Sequence, residues 1–235
     1  MPTVLVLQHH PAESLGLIEQ ALTLYGLTAT YVRAWDGDMV PKRMRGYEGL
    51  VVLGGPMSVY EQAQYPWMID EMRLIDRAVK ADVPVLGICL GSQLLAAVLG
   101  AQVRRGAQPE IGWHEVRLAP LAAADAVWAT IASDHESFQA FHWHGDIFDL
   151  PTGAEQLASS AITPCQGFVY GRSAYGTLFH LEVTEKVVAD MLATFADEVR
   201  AAGLDGDALI AETNRRLIDL HHVGRPVFEA WAGLV

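Results

Sequence analysis

Only two of the 235 residues are cysteine, Cys89 and Cys165, which excludes a small disulfide-stapled scaffold and points to a reducing compartment. Cations are also few. Lys and Arg number 16 against 28 Asp and Glu, a formal net charge of -12, and no basic cluster interrupts the chain. That balance argues against a phosphate-backbone partner, so no nucleic acid is expected. No apolar run approaches the roughly 18 residues that a bilayer span requires, and no membrane partner is expected. The N-terminus lacks a charged region followed by a cleavage site; it reads as a first strand, and the expected location is cytoplasmic. Repeats, low-complexity tracts and Pro/Ser linkers are absent too. With 51% hydrophobic and 19% charged residues, the chain reads as one globular domain over residues 1–235. Its core is expected over about 1–201, with a helical C-terminal extension from about 202 that packs as an add-on.

What is present is an alternation of strand and helix. Thr3–Leu7 is an apolar strand run, and Gln8-His9-His10-Pro11 leaves its C-terminal end. Ser14 is placed to cap a helix running to about Tyr25 and closed by Gly26. Strands are expected over Thr28–Val32 and Tyr47–Leu53, the latter ending in Gly54-Gly55-Pro56. Between Pro66 and Ala81, Met68, Met72, Ile75 and Val79 recur every three or four residues, as on one face of a helix. Val83–Ile88 is a buried strand and Ser92–Leu99 a helix. Such alternation implies a largely parallel sheet covered on both faces. After Gly100 short strands are expected over Trp113–Leu118, Gln139–His144, Gln156–Ala161, Gly167–Tyr170 and Thr177–Leu181. Helices follow from Glu185, with Val187, Met191, Phe195 and Val199 in one stripe, and again over Asp205–Leu220.

The densest signal is Gly87-Ile88-Cys89-Leu90-Gly91, a thiol between two glycines where a strand turns into a helix. This is the layout of a nucleophile elbow with Cys in place of Ser; the turn is crowded, and glycine supplies the missing bulk. The helix begins at the sulfur, so its free amides and dipole are expected to favour the thiolate.

A nucleophilic thiol needs a base and an oxyanion site. Phe179-His180-Leu181-Glu182 offers the base. On regular extended chain His180 and Glu182 share a face, so Glu182 can orient the imidazole toward Cys89. The turn after Cys89 presents the Leu90 amide, and the Gly54-Gly55-Pro56 loop, also at a strand's C-terminal end, can add a second. His142, His144 and Asp146, like His9 and His10, invite a metal reading. Neither a Cys pair nor a His-Glu-x-x-His helix supports it. No metal and no cofactor are expected, and these groups are read as walls of the site's mouth.

Taken together, Gly87–Gln93, Gly54-Gly55-Pro56 and Phe179–Glu182, with Gly112-Trp113 and His142-Trp143-His144-Gly145-Asp146, resemble class I glutamine amidotransferases of the triad type. The resemblance covers nearly all of residues 1–184 and is nearest to the amidotransferase domain of GMP synthase and its stand-alone relatives. It implies an α/β fold: a flavodoxin-like, doubly wound, largely parallel sheet with antiparallel edge strands and a helical C-terminal tail. It also implies hydrolysis of the side-chain amide of glutamine to glutamate and ammonia through a γ-glutamyl thioester. By position it makes Cys89 the nucleophile, His180 the general base and acid, and Glu182 its orienting partner. Gly55 and Leu90 match the oxyanion amides, and Gly54, Gln93 and His144 are placed at the substrate.

Two departures stand out. Leu181 occupies the place where the family commonly has proline, and the chain holds neither a Gly-x-x-x-x-Gly-Lys-Ser/Thr phosphate loop nor a Ser-Gly-Gly-rich nucleotide loop. The expected ammonia acceptor is therefore a synthetase on another chain, or there is none. Two alternatives stay open: a γ-glutamyl peptidase with the same triad, and a non-enzymatic relative using Cys89 as a redox sensor.

Overall fold

The structure, a computed structural model, describes residues 1–235. Apolar residues on consecutive positions of a strand point to opposite faces, and three central strands use this to build two cores at once. In β1 (Thr3–Leu7), Val4 and Val6 face one core while Leu5 and Leu7 face the other. In β3 (Gly49–Val52) Val51 opposes Leu50 and Val52, and in β4 (Val85–Ile88) Leu86 and Ile88 oppose Val85. Strands apolar on both sides must be covered on both sides. Helices α1 (Leu17–Leu24), α5 (Glu185–Thr194) and α7 (Gly206–Ala232) cover one face; α2 (Trp67–Lys80) and α3 (Leu90–Val98) cover the other.

With β2 (Thr28–Val32) at the edge and β9 (Ala174–Thr177) beyond β4, the order β2-β1-β3-β4-β9 is all parallel. This is the flavodoxin-like doubly wound order, with antiparallel strands continuing from β9. These are β8 (Gly167–Tyr170), β7 (Ala154–Ser159), β5 (Val103–Leu118) and β6 (Ser137–Phe148). The sheet curls so far that β6 meets the chain just beyond β9: the His180 amide donates to the Phe141 carbonyl at 2.8 Å. The curl folds β6 over the C-terminal ends of the parallel strands, and the site forms there. No helix is long and apolar enough to cross a membrane.

Several local expectations change. Ser14 does not cap α1; Gly16 precedes that helix, and the Leu17 amide donates to the Glu182 carbonyl at 2.9 Å. A tertiary contact replaces the local cap. The strand expected over Thr177–Leu181 stops at Thr177, so His180 and Glu182 lie on irregular chain held by the bridge to Phe141. The stripe from Val187 to Val199 breaks at Phe195 between α5 and α6 (Ala196–Ala201).

The last helix also runs far beyond Leu220, straight through Pro226, and it is no appendage. Val223, Val227, Phe228 and Trp231 are buried in the main core. At Gly224 a Cβ would stand 2.7 Å from the Leu181 carbonyl oxygen, so the bare glycine lets α7 lie directly on the segment carrying His180 and Glu182. His221 Nε2 donates to the Val183 carbonyl at 3.0 Å. The stiffness that Leu181 forgoes by not being proline is supplied from outside the segment.

Candidate active site

Cys89 sits between β4 and α3 with φ at +50°, one of two non-glycine residues at positive φ. Such strain persists only where surroundings over-determine it. Here the Cys89 amide donates to the Thr177 carbonyl at 2.8 Å, and Ser92 Oγ donates to the Cys89 carbonyl at 2.7 Å. Neither flanking glycine has room for a Cβ. The turn points Sγ at β6, where it donates to the Trp143 carbonyl at 3.5 Å.

Behind Cys89 lies His180, fully buried, with Nδ1 2.5 Å from Glu182 Oε1. Its Nε2 has no hydrogen-bond partner. Burial alone would push the His180 imidazole down, but the Glu182 carboxylate beside it outweighs burial and raises it well above its usual value. Cys89 is pushed up by burial, partly offset by His180. At Cys89 burial is thus the largest influence, acting against the advantage expected of the helix terminus. The arrangement can pass the Sγ proton to His180 Nε2 and leave an imidazolium against Glu182.

A cavity of about 510 Å³ opens in front of the sulfur. Gly55, Cys89, Gln93 and His144 line it; His180 and Glu182 stand behind Cys89, off the wall. Leu90 is buried, its side chain 3.1 Å from where a Gly55 Cβ would be, so the two proposed oxyanion residues are in contact. Gly54 is off the cavity wall; its carbonyl accepts from His9 Nδ1 at 3.0 Å. Gln93 Nε2 donates to the Asp146 carbonyl at 3.1 Å. His9 is buried beneath the Gly54–Gly55 loop, and His10 packs on Phe195, so neither lines the cavity.

The structure adds two acidic residues the sequence did not single out, Glu13 and Glu198. Glu13 is buried, lines the cavity, and lies within 4.8 Å of His180 and Glu182. Burial raises its carboxyl, with Glu182 adding to the rise and His180 opposing it. Trp143 connects two sides of the site: its carbonyl meets Cys89, and its Nε1 donates to Glu198 Oε2 at 2.9 Å. Glu198, Phe195, Ala201 and Ala202 make a wall of α6 and its flanks. No sequence spacing connects Glu13 or Glu198 to Cys89, since the curl of the sheet and the path of α6 bring them in.

The histidines of β6 divide. His142 is fully buried and packs, tilted, against Phe179, whereas His144 reaches the cavity. Glu110, His142 and His144 bring three possible ligand atoms within 4.8 Å. Glu110, however, already accepts from Ser160 Oγ at 2.7 Å, Thr163 Oγ1 at 2.6 Å and Gln166 Nε2 at 2.7 Å, which is the chemistry of a satisfied structural carboxylate. Asp146 faces Ser58 Oγ at 2.7 Å and Tyr60 OH at 3.2 Å rather than the histidines.

Comparison with known proteins gives the same picture. The family model "Glutamine amidotransferase class-I" matches residues 12–199. The glutamine amidotransferase-like protein YfeJ of Salmonella typhimurium is 33% identical over 187 residues, covering 78% of this chain and 77% of that protein. A glutamine-hydrolyzing GMP synthase of Thiobacillus denitrificans is 34% identical over 163 residues, covering 67% of this chain but 30% of the synthase. A glutamine amidotransferase from Thermotoga maritima superposes with a TM-score of 0.88 at 33% identity, over 98% of both chains. One from Methylobacillus flagellatus gives 0.88 at 25% identity, over 100% and 95%. With a family model matched over most of its length, the chain belongs to the class I glutamine amidotransferases.

Proposed function

We propose that this protein hydrolyses the side-chain amide of glutamine through a thioester on Cys89. The observation that carries the reading is a strained, buried cysteine at the cavity mouth with an otherwise unpartnered His180 Nε2 behind it and Glu182 on the far side of the ring. His180 takes the Sγ proton as sulfur attacks the amide carbon, and amides of Gly55 and Leu90 receive the oxyanion. The C–N bond then breaks as His180 passes the proton to nitrogen, releasing ammonia and leaving a γ-glutamyl thioester. Water, losing a proton to His180, frees glutamate and restores the thiol.

The acceptor of the ammonia is read as a synthetase on another chain. The chain matches 30% of the length of a glutamine-hydrolyzing GMP synthase, which supports a synthetase as the proposed acceptor. The partner is proposed to dock electrostatically, suiting a net charge of -12.

A γ-glutamyl peptidase is the second reading, favoured by one observation. The cavity of about 510 Å³ is walled by α6 of the same chain and lies in the range of sites for drug-sized ligands. The redox-sensor reading fares worse, because a sensor needs an accessible low-pKa thiol, and Cys89 is 5% exposed and pushed up.

Purified chain incubated with glutamine and a panel of γ-glutamyl peptides and amines, read for both ammonia and glutamate against Cys89→Ala, tests the proposal. Equimolar ammonia and glutamate from glutamine, rising when a synthetase is added, supports it. Rapid turnover of a γ-glutamyl peptide with no partner effect establishes the second reading instead.

A further inference from the structure

Beneath the glycine loop lies an ion pair that the reaction scheme above does not use. His9, at the end of β1, has both ring nitrogens turned toward acceptors. Nδ1 is 3.0 Å from the Leu53 carbonyl and 3.0 Å from the Gly54 carbonyl, and Nε2 is 3.0 Å from Glu71 Oε2. Both side chains are fully buried. A neutral imidazole carries one N–H, so between the two carbonyls and a carboxylate one of its nitrogens would turn a lone pair against an oxygen lone pair. Only the doubly protonated ring donates on both sides.

We propose that His9 and Glu71 form a buried imidazolium–carboxylate pair that fixes the direction of the Gly55 amide, making them positioning residues for acyl transfer at Cys89. The inference rests on the thioester chemistry proposed above. Its geometric basis is one peptide plane. The Gly54 carbonyl and the Gly55 N–H belong to the same peptide unit, and in a trans peptide they point in opposite directions. With no cis peptide in the chain, holding the Gly54 oxygen toward His9 turns the Gly55 N–H away from His9. Gly55 is the loop glycine that lines the cavity.

The surroundings agree. A Cβ at Gly55 would stand 2.6 Å from His9 Cβ, so the loop lies flat on the imidazole side chain. Trp67 stacks with the ring at 5.8 Å and 20°, and Trp67 and Glu71 stand one turn apart on α2. A cation against an indole face is a favourable arrangement. Among titratable groups, Glu71 and Glu13 are the two that face His9, and both are acids. Burial alone would lower the His9 pKa; the Glu71 carboxylate and the two carbonyls outweigh it and raise it.

Two reactions of Cys89 separate positioning from mere structure. Alkylation by iodoacetamide needs only the sulfur and His180 to take its proton, whereas acylation by p-nitrophenyl acetate also needs an oxyanion site. For Glu71→Gln and His9→Gln, burst acylation of Cys89 is expected to fall at least about tenfold, in line with the loss of an oxyanion donor, while alkylation changes less than about twofold. The double variant is expected to match His9→Gln alone, because the pair acts as a unit. On γ-glutamyl substrates the loss is expected in kcat with KM little changed. In the unaltered protein, ring ¹⁵N shifts of His9 are expected to show both nitrogens protonated at pH 7. Acylation and alkylation falling in parallel, acylation unchanged, or a His9 ring with one bare nitrogen each overturn the proposal. Since p-nitrophenyl acetate is no γ-glutamyl compound, a wrong substrate assignment leaves this test intact.

Discussion

A Cβ at position 91 would stand 1.9 Å from the carbonyl oxygen of Val52. The helix carrying the nucleophile thus crosses the backbone of the neighbouring strand with no side chain between them, and that closeness sets the position of Cys89. Gly91→Ala must push α3 off β3. The expected cost is about 1–3 kcal/mol or more, as for overpacked cores, read from the midpoint of urea unfolding. Near-normal stability with full activity would show that the helix can shift without moving the sulfur.

Removing His180 is expected to cost nearly as much turnover as removing Cys89, about 10²–10⁴-fold or more, because the ring is both base and acid in the proposed cycle. Glu182→Gln is expected to cost less, since the imidazole keeps a hydrogen-bonding neighbour. Cys89→Ala with His180→Ala should be no slower than Cys89→Ala alone. If His180→Ala kept more than about a tenth of turnover, a loss of only about 1.4 kcal/mol, another base would be at work, and Glu13 stands closest to that role.

The pH profile should move with Glu182. Its carboxylate raises the His180 pKa well above the ordinary value, against burial, so the acid limb of kcat/KM is expected to lie above about 6.5. Glu182→Gln removes the charge that favours the imidazolium while burial, which disfavours it, remains. The acid limb must then shift to lower pH even as the rate falls. An unchanged or rising limb, measured over pH 5 to 9, would dissociate His180 from the titration.

How much of this was legible in the sequence divides along chain distance. The elbow was fully readable, because strand, glycines, thiol and helix start lie within a few residues. Nearness of His180 to Glu182 also held, although the reason offered, a regular strand, did not; β9 ends at Thr177 and the bridge to Phe141 does the holding. The cap of α1 misled, because the Leu17 amide finds the Glu182 carbonyl, 165 positions along the chain, in place of Ser14, and no local propensity reports that. The last helix was expected to end at Leu220, yet burial of Val227, Phe228 and Trp231 carries α7 on through Pro226. Glu13 and Glu198 became site residues only through the curl of the sheet and the path of α6.

Acid should weaken the fold through the β6 histidines. Burial holds His144 down to about 4 against the pull of Glu110, and holds His142 well below its usual value with help from His144, His114 and His180. Groups depressed in the folded state contribute stability that is complete above the unfolded value near 6.5 and is lost as pH falls through the folded one. Phe at 142 keeps an aromatic ring against Phe179 and removes Nε2, which has no partner. His142→Phe is expected to flatten the fall in stability between pH 6.5 and 4 by up to about 1.4 kcal/mol per pH unit. Equal slopes for the variant and the unaltered protein, from urea midpoints at each pH, would place the acid sensitivity elsewhere.

Selective labelling is the sharpest check on the cavity. Both thiols are buried, and Cys165, 4% exposed, is pushed up to about 12 with no base beside it. Cys89 is pushed up as well, so reactivity there has to come from His180 taking the proton once a ligand sits in the cavity. A diazoketone analogue of glutamine should therefore alkylate Cys89 and spare Cys165, and excess glutamine should protect Cys89. His180→Ala should slow the same labelling sharply, since the raised thiol then lacks its acceptor. Intact mass followed by peptide mapping gives the answer. Labelling of both cysteines alike, or of Cys89 without regard to glutamine, would mean that the cavity is not shaped for a γ-glutamyl group.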